Sequence, residues 1–168
     1  MIKFEADSSP IMDRIKRLKK KRYKIRPILS KLGVIMEEGI RTNFEVGGRP
    51  SWRPLSKTTV RRRKESPKQE KRGRGRPSKF SSRNVMGIRP LIDTGRLYDS
   101  IDSKVYPNRV EAGSYGVSYA KIQNYGGKNS EGRYVPARPF LHVTNKEERE
   151  MEELITDYLS DKTNKLKG

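Results

Sequence analysis

The sequence predicts an α+β fold, a small sheet with three or four packed helices and a basic insertion. Three observations predict it. Apolar residues recur at helical spacing from about Ile28 to Phe44 and again from about Lys146 to Leu159. Short β-like runs flank a Pro107-Asn108 turn. Residues 65–83 hold one aromatic and no aliphatic side chain, so they can add nothing to a core and read as a flexible insertion.

The elements follow in order. Ile2, Phe4 and Ala6 alternate with polar residues, as in a short strand. Ser9-Pro10 opens a basic helix carrying Ile11, Ile15 and Leu18, and Pro27 interrupts it. The second helix places Ile28, Leu32, Ile35, Ile40 and Phe44 on one face; Gly33 and Gly39 weaken it and permit close packing. Gly47-Gly48-Arg49-Pro50 is a turn. Trp52 and Leu55 follow in a loop bracketed by prolines, and Ser56 caps a short helix from Lys57 to about Lys64.

After the insertion, order returns at Ile88. Asp93 or Thr94 is expected to cap a helix that runs through Ile101. Lys104 to Ala112 reads as a hairpin. Ser118 is expected to cap a helix carrying Tyr119, Ile122 and Tyr125, which stops at Gly126-Gly127. A Gly- and Asn-rich loop leads to the stretch Val135 to Leu141. The last helix sets Met151, Leu154, Ile155, Tyr158 and Leu159 on one face. No internal repeat is visible, and 168 residues suit a single domain, 1–168, with the insertion inside it.

Charge is concentrated. The chain has 39 Lys+Arg against 20 Asp+Glu, a net charge of +19. Arg14–Lys31 carries +10 and Arg61–Lys79 carries +8, which leaves the remaining 131 residues almost neutral. An ordinary domain thus bears two basic elements, suited to DNA or to acidic protein surfaces. Lys19, Lys20, Lys21 and Arg22 in the first stretch are candidate polyanion contacts, as are Arg61, Arg62, Arg63, Arg72, Arg74, Arg76 and Lys79 in the second. Arg74-Gly75-Arg76-Pro77 resembles an AT-hook, in which a Gly lets the backbone lie flat in a narrow minor groove between two Arg side chains. A basic Gly-rich loop also generates that tetrapeptide by composition.

Composition excludes several chemistries. There is no Cys and one His, which removes disulfides, thiol catalysis and multi-His metal sites within one chain. No cofactor or metal is expected. No apolar run approaches the length of a membrane span, and the opening residues lack the pattern of a secretory signal. Asp93-Thr94-Gly95 matches the aspartic-protease triplet, but its helical context favours a helix cap. His142 reads as structural or surface, and Trp52 as a loop anchor or a stacking platform for a base. The carboxylates of the last helix read as a solvated face. Nothing assembles nucleophile, base and orienter, so an enzyme is not expected.

Four ordered segments carry a family resemblance. Phe44 precedes Trp52-Arg53-Pro54-Leu55-Ser56-Lys57-Thr58-Thr59. Next come Leu91-Ile92-Asp93-Thr94-Gly95-Arg96-Leu97-Tyr98-Asp99-Ser100-Ile101 and Tyr119-Ala120-Lys121-Ile122-Gln123-Asn124-Tyr125-Gly126-Gly127. Val135-Pro136-Ala137-Arg138-Pro139-Phe140-Leu141 closes the set. From about Ile28 to Leu159 this ordered set resembles the phage virion-morphogenesis family, which includes tail-completion proteins of Mu-like phages and is related to lambdoid head–tail joining proteins. The resemblance implies a small α+β domain with a curved antiparallel sheet. It implies a non-enzymatic virion protein, made in the bacterial cytoplasm and placed at the tail or neck. It also implies a homo-oligomeric, often hexameric ring, with other tail and neck proteins as partners and no membrane. By the same resemblance Leu91, Ile92, Leu97 and Ile101 are core and Asp93 caps the "DTG" helix. Pro136, Arg138, Pro139 and Phe140 form a rigid segment, described as a strand, at the core or a subunit contact, with Tyr119, Gln123, Gly126 and Gly127 beside it. The alternative is an architectural DNA-binding module that uses the AT-hook-like loop.

Overall fold

The computed structural model describes residues 2–3, 13, 25–65 and 88–164. Ten elements lie among them. They are β1 (Ile2–Lys3), α1 (Arg26–Val46), α2 (Lys57–Glu65), α3 (Arg96–Asp99), β2 (Ile101–Val105), β3 (Val110–Ser114), α4 (Ala120–Tyr125), β4 (Gly127–Lys128), β5 (Tyr134–Val135) and α5 (Asn145–Asn164). The fold is α+β. One antiparallel sheet has the order β1-β3-β2, and β4 and β5 form a separate hairpin. The expected basic helix, apart from Asp13, lies outside the described residues, as do Lys19, Lys20, Lys21 and Arg22 and most of the insertion, including Arg72, Arg74, Arg76 and Lys79.

The long helix α1 organises the domain. Pro27 sits in the first turn of α1, where its missing N–H has no partner to lose. Ile28, Leu29, Leu32, Met36, Ile40 and Phe44 form its buried stripe, and each fully buried side chain of this size contributes about 1.5–3 kcal/mol. The helix ends at Gly47 in the left-handed conformation, φ 82°. It packs on β2, β3 and α5. Both of its internal glycines mark close approaches. A Cβ on Gly33 would stand 3.0 Å from the Ser103 Oγ, and one on Gly39 would stand 3.1 Å from the Glu147 Cγ.

The hairpin forms where the sequence puts it, with Val105 opposite Val110 and Tyr106 N–H donating to the Arg109 carbonyl at 2.8 Å. The expected helix through Ile101 is a single turn instead. Its N-cap position is Gly95 rather than Asp93 or Thr94, and the Thr94 Oγ1 accepts from Arg96 N–H at 3.4 Å. Ile101 opens β2, because Ile101, Ser103 and Val105 alternate with exposed Asp102 and Lys104, and this period of two overrides the helical spacing from Leu97. Ser118 is likewise not a cap: the N-cap position of α4 is Tyr119, without a side-chain bond. The stretch Pro136–Leu141 is not a strand, since it has no ladder partner. Two of its residues are prolines and cannot donate. Only Tyr134–Val135 pairs, with Gly127–Lys128.

Candidate functional site

Phe44 gathers the motif segments. Its ring meets Trp52 edge-on at 5.7 Å, Tyr98 edge-on at 5.6 Å and Phe140 tilted at 5.3 Å. One aromatic on α1 thereby joins the Trp loop, the helix α3 and the Pro-rich stretch. Such ring pairs each add about 0.5–1.5 kcal/mol beyond the area they bury. Trp52 is buried and donates from Nε1 to the Pro139 carbonyl at 3.1 Å, so it is an anchor and not a base-stacking platform.

Two buried asparagines replace the missing ladder of the Pro-rich stretch. The Asn124 side-chain oxygen accepts from Phe140 N–H and Leu141 N–H, both at 3.0 Å. The Asn43 Nδ2 donates to the Phe140 carbonyl at 2.8 Å and to the His142 carbonyl at 2.7 Å. Arg138 N–H donates to the Gln123 carbonyl at 2.9 Å. Gly126 lies against the same stretch: at φ 73°, a Cβ there would stand 2.7 Å from the Ala137 nitrogen.

A second polar cluster ties α1 to α5. Arg49 donates from Nε to the Asn43 Oδ1 at 2.8 Å, from Nη2 to the Gly39 carbonyl at 2.7 Å and from Nη1 to the Glu147 Oε1 at 2.6 Å. The other Glu147 oxygen accepts from Thr144 N–H at 2.9 Å and from the Thr144 hydroxyl. Burial alone would raise the Glu147 carboxyl, but the Thr144 and Arg49 hydrogen bonds outweigh it and lower the pKa to about 2. The sequence reading placed the carboxylates of this helix on a solvated face; Glu147 departs from it. Its signal is the spacing Thr144-x-x-Glu147, a capping-box pattern.

Over this core the four motif segments open a cleft of about 1080 Å³. Arg53, Lys57, Arg62, Arg63, Arg96 and Arg138 line it, and Asp93 is the carboxylate in the lining. Tyr119, Gln123, Tyr134 and Pro136 complete the wall. Exposed Tyr119 and Tyr134 beside arginines give the composition of a protein–protein contact.

The basic residues of α2 divide. Arg61 and Arg62 are exposed. Arg63 is not a free polyanion contact: its Nη1 donates to the Arg89 carbonyl at 2.8 Å and the Ile92 carbonyl at 2.9 Å, and its Nε lies 3.7 Å from the Asp93 Oδ1. It closes the base of the insertion. Arg138 is 7% exposed, and its one hydrogen bond from the side chain, among the described residues, runs from Nε to the Arg53 carbonyl at 3.2 Å. Burial, then the neighbouring Arg63 and Arg53 charges, hold its pKa below the usual arginine value. Arg53, Lys57 and Arg96 were not among the residues singled out from sequence, although each lies inside a motif segment. No group of three or more metal-ligating side chains occurs among the described residues, and none of their helices is long and apolar enough to cross a membrane.

The ordered motifs of this α+β domain thus converge on one core and one surface cleft. The chain belongs to the phage virion morphogenesis family, whose model matches residues 6–160. Its role lies in the building of phage particles. It is similar to the Mu-like prophage FluMu G protein 2 of Haemophilus influenzae, at 33% identity over 134 residues, covering 79% of this chain and 76% of that protein. No solved structure matches the chain.

Proposed function

We propose that the chain is a non-enzymatic structural subunit that completes the tail or joins it to the head, and that it acts as a ring of identical copies. The convergence of the Trp loop, the "DTG" turn, α4 and the Pro-rich stretch on one arginine- and tyrosine-lined cleft carries this reading. Motifs that build a contact surface, with no paired general acid and base in it, suit a protein whose task is to hold neighbours. A relative that is named for a Mu-like prophage points to the same kind of particle. The two basic stretches then face passing DNA or acidic virion neighbours.

Electron microscopy of particles bearing a tagged copy tests it. Density at the tail–head junction, and unjoined heads and tails when the gene is deleted, are expected. Joined, infectious particles from the deletion would overturn it. The architectural DNA-binding alternative requires A/T-selective duplex binding that is lost on removal of residues 65–83.

A further inference from the structure

We propose that the basic cleft receives the acidic stripe of α5, Glu150, Glu153 and Asp157, from a second copy of the chain. The inference rests on the assembly reading and names the contact it uses. The cleft is short of negative charge. Arg138 is more than nine-tenths buried, lines the cleft and has no carboxylate partner among the described residues, and Arg53 and Arg63 crowd it. A recessed guanidinium of this kind calls for a carboxylate from outside, because a buried unpaired charge is costly.

The complementary surface lies elsewhere on the same molecule. Glu150, Glu153 and Asp157 are exposed and make no ion pair among the described residues. Their spacing of three and four places them on one face of α5. They span about 10 Å of helix at 1.5 Å per residue. None of them lines the cleft, so the donor and acceptor surfaces of one chain are different patches. Two copies joined this way meet head-to-tail, and a head-to-tail contact generates a closed ring or a filament. A carboxylate from the stripe would supply Arg138 with the partner it lacks among the described residues.

Sedimentation of the full chain and of charge-reversal variants tests the proposal. The parent chain should self-associate at low salt and dissociate as salt rises. Arg96→Glu alters the rim of the cleft and Glu153→Arg alters the stripe; both are exposed positions, and circular dichroism checks that each variant folds. Each should weaken association by about tenfold or more. An equimolar mixture of the two should regain association, because the intact cleft of one meets the intact stripe of the other and their two reversed surfaces match as well. The double variant should regain association.

A parent chain that stays monomeric would overturn self-docking, while the assembly role, which is read from particles, would stand. Association that ignores Glu153→Arg but falls with Arg96→Glu would also overturn it, and would give the cleft to another occupant. A short DNA duplex whose binding is lost with Arg96→Glu, without any coupling to Glu153, would assign that occupant to nucleic acid.

Discussion

Arg49 and Glu147 meet at 2.6 Å across a gap of 98 positions, and the pair clamps the end of α1 to the first turn of α5. The carboxylate is ionised at every ordinary pH, because its folded pKa of about 2 lies below its usual value near 4.5. Its contribution is therefore fully present above about 4.5 and is lost as pH falls toward about 2. Near neutral pH the difference is worth on the order of 3 kcal/mol. Urea denaturation from pH 7 to pH 2 should show parent stability falling through that acid window. Glu147→Gln should be less stable at neutral pH and flatter in acid. An equally steep acid slope in the variant would assign the loss to other carboxylates.

Phe44 is fully buried and touches three other rings. Phe44→Ala should cost about 3–5 kcal/mol in equilibrium unfolding, with Phe44→Leu costing less. Because Trp52 packs edge-on against Phe44, its fluorescence should shift to the red in the same variant.

Asn124 replaces a strand partner for Phe140 and Leu141. Asn124→Leu leaves two buried backbone donors without an acceptor, at about 1–3 kcal/mol each. Hydrogen exchange should read this directly, with faster exchange at the Phe140 and Leu141 amides and little change at Val110–Ser114. Uniform loss of protection would show that Asn124 acts on the whole domain.

Gly126 and Gly132 differ in what a side chain would meet. Both hold positive φ, 73° and 74°. A Cβ at Gly126 would stand 2.7 Å from a backbone nitrogen, whereas a Cβ at Gly132 would meet nothing within 4 Å. Ala at Gly126 also meets backbone strain of about 1–3 kcal/mol, because ψ there is −173°, a region essentially reserved for glycine. Only Gly126→Ala adds a collision with the Pro-rich stretch, so it should lower the melting temperature clearly more than Gly132→Ala. Equal effects would count against the close approach.

Periodicity made much of this fold legible. The stripe of α1, the Val105–Val110 hairpin and the apolar face of α5 all follow from the spacing of their apolar residues. Pattern misled at Ile101, where helical spacing from Leu97 and strand alternation overlap and pairing with Ser114 decides. Asn43, Asn124 and Arg49 were not legible, because a lone polar residue in a helix or turn looks the same whether it faces water or a buried carbonyl. The Thr144–Glu147 spacing was legible, and reading the last helix's carboxylates as one solvated face hid it. The cleft was half legible: its motif segments stand in the sequence, but their convergence is tertiary.

The Phe44 cluster also bears on the chain's continuity. Phe44 and Trp52 come before the 66–87 segment, and Tyr98 and Phe140 come after it. Arg63, just before that segment, holds the carbonyls of Arg89 and Ile92 just after it. A peptide bond broken between Glu65 and Ile88 would therefore sever the polymer and spare the domain. The two pieces, co-expressed, should find each other through the same rings and behave as one subunit.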